Sequence, residues 1–331
     1  MKVAFFNAKS YDQEYFDRAN SDGTHQIRYF SAHLDFESTS LISDEKVVCA
    51  FINDNLNAQV LHKLKDKGIE LIALRSAGFN HVDMACAQQL SLPVVRVPAY
   101  SPYAVAEHAV GLLLCLNRGI HRAHNRIREG DFSLRNLMGF DLHGKTVGVI
   151  GTGKIGQAFT NIMLGFGCNV IAYDVLQNEQ CIKSGVKYAS LEKLLSHADI
   201  ISLHCPLTPD TYHLIGQRAL AKMQDGVTII NTSRGKLVDT KAIINGLKSG
   251  KIGLLGLDVY EEEEALFFED LSAQGIQDDL LARLTTFPNV IVTSHQGFFT
   301  QEAMLNIAQT TLSNISQFEQ DGHIQNSVVC N

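Results

Sequence analysis

No stretch of the 331 residues reaches the roughly 18 uninterrupted apolar positions that a membrane-spanning helix requires, so a spanning role is not expected. Cysteine is sparse. The seven, at 49, 86, 115, 168, 181, 205 and 330, are odd in number, widely spread and form no C-x-x-C pair, so neither a disulfide framework nor a zinc site is indicated. No metal is expected. Positive charge is not in excess either: the formal net charge is -7 with 19% charged residues, which gives little attraction to nucleic acid or to an anionic membrane. A small molecule is the expected partner. Internal repeats are absent, and the longest low-complexity tract is the four glutamates at 261 to 264. The opening "MKVAFFN" has too short an apolar core for a signal peptide and reads as a first strand, so the expected location is cytoplasmic.

What is present is enough apolar residue, 45% over 331 positions, for two ordinary cores. Ten apolar runs of strand length alternate with helix-like stretches: "KVAFFN", "VVCAFI", "ELIAL", "PVVRV", "TVGVI", "NVIAYD", "DIISLH", "VTIINT", "LLGLDV" and "NVIVTS". Continuous β-rich runs separated by helices predict parallel sheets covered on both faces, an α/β protein. In "SPYAVAEHAVGLLLCLNR", Pro102 suits a first helical turn and the apolar positions fill more than one face. After the last run only the helical "TQEAMLNIAQTTLSNISQFEQ" follows, and with no strand after it that helix cannot extend the second sheet. It is expected to return to the first domain. The expected organisation is a smaller flavodoxin-like domain, 1–100 plus 298–331, into which a doubly wound Rossmann domain, 101–297, is inserted.

"KTVGVIGTGKIGQAFTNIMLGFGCNVIAYD" places Gly151, Gly153 and Gly156 between a strand and a helix, and a second strand then ends in Asp174. The first glycine permits a tight turn, the second lets backbone approach a pyrophosphate, and the third lets helix pack on strand. A lone G-x-G-x-x-G would say little. Strand, helix, second strand and terminal acid in this order predict dinucleotide binding, with Lys154 and Ile155 inside the cradle. Asp174 is placed to accept from the adenosine ribose hydroxyls and to repel a 2′-phosphate, and the next residues, Val175, Leu176 and Gln177, offer no arginine, so NAD is expected over NADP.

Three later runs end in chemistry: Arg234 after "VTIINTS", Glu263 after "LLGLDVYEE" and His295 after "VIVTS". Ligands of open α/β sheets bind outside the carboxyl ends of the strands, so the three can converge. A guanidinium fork matches a carboxylate, an imidazole exchanges a proton near neutral pH, and a carboxylate can orient that imidazole. Gly235 permits close backbone approach beside Arg234. Within the run 261 to 264 the register of the acid is open by a residue from sequence alone. His204, after "DIISL", rivals His295 as the acid, and with 13 histidines in the chain most must be structural.

These stretches, with "RSAGFNHVD" from 75, "VPAYSPYAVAEHAVGLLL" from 97, "LHCPLTPDTYHLI" from 203, "NTSRGKLVD" from 231, "GLDVYEEE" from 256 and "TSHQGFFT" from 293, resemble the D-isomer-specific 2-hydroxyacid dehydrogenases over nearly the full length. "ALFFED" and "HQGFFT" resemble the fermentative branch that makes D-lactate from pyruvate. The resemblance implies that Arg234 binds the 2-oxo acid, that His295 gives the carbonyl oxygen its proton and that Glu263, selected by counting from Asp258, pairs with His295. It also implies that backbone N–H groups of Ala77 and Gly78 meet the substrate carboxylate, and that Tyr100, Phe298 and Phe299 wall the pocket. Thr232, Ser233, His204, Cys205 and Pro206 would line the cofactor, and Asp258 would meet the nicotinamide carboxamide. Where the family often has proline, this chain has Glu264 and Ser294. Arg118, Arg122 and Arg126 at helical spacing read as a solvated basic face, a subunit contact or an anion site, and the resemblance implies a homo-oligomer, dimer or tetramer. Other readings are a dehydrogenase for hydroxypyruvate or a branched-chain oxo acid, and an NADH-sensing binding protein.

Overall fold

The computed structural model describes residues 1–331 except 264, 265, 269, 323, 325 and 329–331. The chain forms two compact units, Met1–Ser101 with 298–331, and Pro102–Gly297.

The first unit is built on five parallel strands, β1 (Lys2–Phe5), β2 (Gln26–Tyr29), β3 (Val47–Ala50), β4 (Leu71–Leu74) and β5 (Val94–Val95), in the order β2-β1-β3-β4-β5. Every residue of β3 and β4 is buried, as it must be where helices cover both faces of a parallel sheet. One face holds Phe6, Val48, Leu61 and Leu64. The other holds Val3, Phe5, Phe16 and, from the helix Gln301–Asp321, Met304, Ile307, Ala308, Leu312 and Ile315. That last helix starts where the Thr300 side chain accepts from Ala303 N–H and stops at Gly322, whose φ of 69° no β-carbon obstructs.

The second unit carries seven parallel strands: β6 (Thr146–Ile150), β7 (Asn169–Tyr173), β8 (Lys187–Tyr188), β9 (Ile200–Leu203), β10 (Val227–Asn231), β11 (Ile252–Leu257) and β12 (Val290–Val292). Their order is β12-β11-β10-β9-β6-β7-β8, the doubly wound arrangement of a Rossmann fold. Strand order reverses between β6 and β9, so the carboxyl ends of these two open the crevice where such sheets take ligands. The helix Pro102–Arg118 buries Ala104, Val105, Ala106, Ala109, Val110, Leu112, Leu113 and Leu116 and packs on β11 and on the helix Lys154–Gly165. Its wide apolar surface is thus used on more than one side.

All ten apolar runs are strands. The two strands that the runs did not announce, β2 and β8, both lie at sheet edges. β2 alternates exposed and half-buried residues, and β8 has only two positions, so neither needs the continuous apolar run of a central strand. The six described cysteines are free, and among the described residues no cluster suits a metal ion and no helix is long and apolar enough to cross a membrane.

Candidate active site

The glycine loop follows β6 directly. Gly151 has φ 96°, and a β-carbon there would lie 2.5 Å from Cys205 N, because the loop runs against the backbone leaving β9. A β-carbon on Gly156 would lie 2.0 Å from Gly151 O, so this glycine sets how closely the helix Lys154–Gly165 approaches the turn. Gly153, the N-cap, has nothing within 4 Å of the position its β-carbon would take, and no side chain caps the helix. Open space over uncapped first-turn N–H groups, led by Lys154 and Ile155, fits a pyrophosphate. Asp174, just past β7, turns its carboxylate to this loop: Oδ2 accepts from Thr152 N at 2.5 Å and from Thr152 Oγ1 at 3.1 Å. These residues fit a dinucleotide.

The neighbouring strand ends supply the rest of the crevice. His204, after β9, bonds through Nε2 to Ser202 Oγ at 2.9 Å and lies on Phe159 with ring centroids 4.8 Å apart. Burial pushes its imidazole down to about 3, so it stays neutral and is a poor proton donor near pH 7. Burial likewise pushes the Cys205 thiol up to about 11, and Pro206 is exposed. After β10, Ser233 Oγ donates to Leu203 O at 2.9 Å, whereas the buried Thr232 Oγ1 has no partner among the described residues. An unpaired buried hydroxyl beside the crevice is available to a ligand.

Asn231 ends β10 fully buried and shapes the next turn, accepting from Ser233 N at 3.0 Å and donating to Arg234 O at 2.8 Å. Arg234 is half-buried with Nη1 on Ser233 O at 2.6 Å, and among the described residues no carboxylate pairs with it. A β-carbon on Gly235 would come within 2.0 Å of Tyr260 O, so glycine alone lets the β10 and β11 loops touch. In the second loop Glu263 Oε2 accepts from Tyr260 N at 2.7 Å, and Oε1 lies 3.0 Å from His295 Nδ1. The two side chains are 17% and 16% exposed, partly screened from water while open enough to meet a substrate. No described residue bonds His295 Nε2. The structure also separates the glutamates: Glu261 is taken by His213 Nε2 at 2.6 Å and Thr240 Oγ1 at 2.7 Å, and Glu262 is exposed. Glu264 lies outside the described residues; Ser294, the other departure, immediately precedes His295.

His295 sits at φ 54°, a left-handed backbone uncommon outside glycine. Asp258 holds it there. Asp258 O accepts from His295 N at 2.7 Å, and the carboxylate accepts from Thr293 Oγ1 at 2.6 Å, Gln296 N at 2.9 Å and Gly297 N at 2.7 Å, with His108 Nε2 at 3.1 Å. Burial opposes ionisation of this carboxyl, but the bonds from His108, Thr293 and Gly297 together outweigh it and hold its pKa below the ordinary aspartate value. Sequence reasoning singled out Asp258 only for the cofactor amide. It missed His108 and Thr293, although both lie within the quoted motifs, because nothing in spacing tells one histidine of 13 from another.

In the first unit, the carbonyls beyond β4 are tied down: Arg96 Nη1 donates to Ala77 O at 2.7 Å and Ser76 Oγ to Gly78 O at 2.8 Å. Among the described residues neither Ala77 nor Gly78 N–H has an acceptor. The same unit gathers an aromatic group: Phe298 has ring centroids 6.1 Å from Tyr100, 6.1 Å from Phe51 and 6.0 Å from Phe299, which in turn meets Tyr11 at 4.8 Å. Phe51 and Tyr11 were not foreseen. Phe51 directly follows β3, and that position was its one signal.

Comparison with known proteins identifies the family. The family model described as "D-isomer specific 2-hydroxyacid dehydrogenase, NAD binding domain" matches residues 110–297. The chain is 50% identical over 329 residues to a 2-hydroxyacid dehydrogenase homolog of Haemophilus influenzae, covering 99% of each protein. It is 48% identical over 329 residues to a D-lactate dehydrogenase of Escherichia coli, covering 99% of this chain and 100% of that one. The solved structure of a protein identified as the pyruvate reductase of Chlamydomonas reinhardtii superposes with a TM-score of 0.94 at 40% identity, covering 98% of each chain. An NAD-binding Rossmann unit whose strand ends carry an arginine, a glutamate and a histidine, and full-length identity near one half to such enzymes, lead to one conclusion: this chain is an NAD-dependent oxidoreductase belonging to the D-isomer-specific 2-hydroxyacid dehydrogenase family.

Proposed function

We propose that the chain is a D-lactate dehydrogenase, reducing pyruvate to D-lactate with NADH and catalysing the reverse with NAD. The observation that carries the reading is the 3.0 Å pair of His295 Nδ1 and Glu263 Oε1, in which no described residue bonds Nε2, together with an Arg234 guanidinium to which the described residues offer no carboxylate. The names of the E. coli and Chlamydomonas relatives favour pyruvate among 2-oxo acids.

Bound NADH would supply the hydride to the carbonyl carbon. His295 would deliver its Nε2 proton to the carbonyl oxygen, so that ketone and two electrons become an alcohol and the imidazole is left neutral. Glu263 keeps Nδ1 protonated and the ring oriented, the task a buried carboxylate performs for a catalytic histidine. Arg234 holds the 2-oxo acid and stabilises negative charge growing on the oxygen, a contact worth about 2.7 to 4 kcal/mol where such donors have been removed. Thr232, Ser233 and Asp258 are proposed beside the cofactor, Ala77 and Gly78 N–H at the substrate carboxylate, and Tyr100, Phe298, Phe299 and Phe51 as walls favouring a small side chain.

A homo-oligomer is part of the proposal. The helix Ile120–Arg128 buries none of its residues, and Phe132, Leu134 and Met138 beyond it are 76%, 84% and 98% exposed, an apolar surface suited to a second copy. Light scattering after sizing chromatography tests this. The activity is tested by following NADH absorbance with pyruvate, hydroxypyruvate and branched-chain oxo acids, then the reverse reaction with each lactate enantiomer. Turnover with pyruvate and with D-lactate alone is expected. A higher kcat/KM on another oxo acid would replace the substrate, and NADH binding without any turnover would favour a sensor.

A further inference from the structure

The glycine loop is tied to the end of β7 by a relay that the nucleotide fold does not by itself require. Tyr188, closing the edge strand β8, accepts from Asn178 N at 2.8 Å and donates to Thr152 Oγ1 at 2.8 Å. Thr152 Oγ1 in turn reaches Asp174 Oδ2 at 3.1 Å. A carboxylate can only accept, so the single hydroxyl proton of Thr152 goes to Asp174, and Thr152 must accept the single proton of Tyr188. The order of donors is forced: amide, phenol, hydroxyl, carboxylate. Thr152 N adds a second bond to Oδ2 at 2.5 Å, and Leu176 N takes Oδ1 at 3.2 Å. Asn178 Nδ2 meanwhile bonds Thr152 O at 2.9 Å, so Thr152, only 2% exposed, is held from both sides.

We propose that Thr152 and Tyr188 determine the ribose specificity of the cofactor site by fixing the Asp174 carboxylate in place. The inference rests on Asp174 as the acceptor for the adenosine ribose hydroxyls. A carboxylate free to rotate can swing away from a 2′-phosphate and take a counterion with it. One held by three donors cannot move without breaking charge-assisted bonds, so a 2′-phosphate meets a stationary negative charge while a diol meets an oriented acceptor. Discrimination then belongs to the residues behind the acid as much as to the acid. Neither residue touches the cofactor through its side chain in this scheme, and both act as positioning residues.

The test measures dissociation constants of NADH and NADPH by calorimetry on the full chain, with melting temperature of the unliganded protein as a check on folding. Thr152→Val, which keeps shape and loses the hydroxyl, is expected to weaken NADH about tenfold, the scale of one hydrogen bond to a charged group, and to narrow the NADH-to-NADPH affinity ratio. Tyr188→Phe shifts both in the same direction by less, and Thr152→Ser restores wild-type values. If Asp174→Asn collapses the ratio while Thr152→Val and Tyr188→Phe preserve it, the relay is refuted and the role of the acid stands. An unchanged ratio in Asp174→Asn removes both. Should Thr152→Val fail to fold, Tyr188→Phe decides: a wild-type ratio there overturns the proposal.

Discussion

Glu263 Oε1 stands 3.0 Å from His295 Nδ1, and Glu261 Oε1, two residues earlier, stands 2.6 Å from a different imidazole, His213 Nε2. Two glutamates of one acidic run therefore serve two histidines. The first prediction contrasts them. Glu263→Gln keeps the shape of the side chain and removes the carboxylate oxygen that meets His295 Nδ1, so kcat should fall about 10- to 100-fold, the worth of a hydrogen bond to a charged group. Glu261→Gln, whose partners hold a loop and the start of the helix Thr240–Ser249, should lower melting temperature more than kcat. Steady-state kinetics and thermal melts on the pair decide it, and the reverse ranking would reassign the acid.

His295→Gln removes the imidazole whose Nε2 no described residue bonds. Turnover should drop by roughly 10²- to 10⁴-fold, the usual contribution of a positioned acid, with NADH affinity unchanged in a direct titration. Wild-type turnover in this variant would remove His295 from the chemistry.

Gly235→Ala would place a β-carbon 2.0 Å from Tyr260 O, where only backbone can give way. The loops of Arg234 and Glu263 must then part, and a loss of about 1 to 3 kcal/mol in stability is expected, with a fall in kcat/KM. Denaturant titration alongside kinetics reads both, and a neutral alanine would show that the close approach is not needed.

His108→Phe keeps a ring and deletes one donor to Asp258, and Thr293→Val deletes another. Each should loosen the left-handed backbone of His295, lowering kcat about tenfold while the dissociation constant of NADH stays within error. If the cofactor constant moved and kcat did not, Asp258 would be serving the nicotinamide through these bonds.

His204 is held neutral, its pKa pushed by burial to about 3 from the ordinary value near 6.5. The unfolded chain binds the proton first, so this site costs no stability above about pH 6.5 and becomes progressively destabilising as pH falls from there toward 3. His204→Gln should make stability less dependent on pH across that window, by up to about 1.4 kcal/mol per pH unit. Urea titrations at several pH values measure the slope, and an identical slope would mean that the imidazole is hydrated after all.

How far the sequence alone reached depended on whether a feature was local. Central strands such as β3 and β10 are fully buried and so must be unbroken apolar runs, whereas β2 and β8 at the edges are under no such demand. Gly151, Gly153 and Gly156 were readable because a phosphate turn needs them at fixed spacing on one segment. Arg234 and His295 were readable as polar residues closing apolar strands. Which glutamate pairs with His295 came only from counting on from Asp258 under the family resemblance, since four consecutive acids look alike until the chain turns after Tyr260.

Side chains that act across the fold stayed hidden. Asp258 gathers His108, Thr293, Gln296 and Gly297, and Thr152 gathers Tyr188, Asn178 and Asp174, from segments far apart in sequence. Composition and periodicity determined the parallel α/β layout, the nucleotide cradle and the kinds of residue at the strand ends, because each follows from burial or backbone freedom within one element. Tertiary structure alone decided partners and protonation. A hydrogen bond needs its two atoms within about 3 Å, and burial sets which of those atoms can bear charge; neither quantity is a property of a linear string.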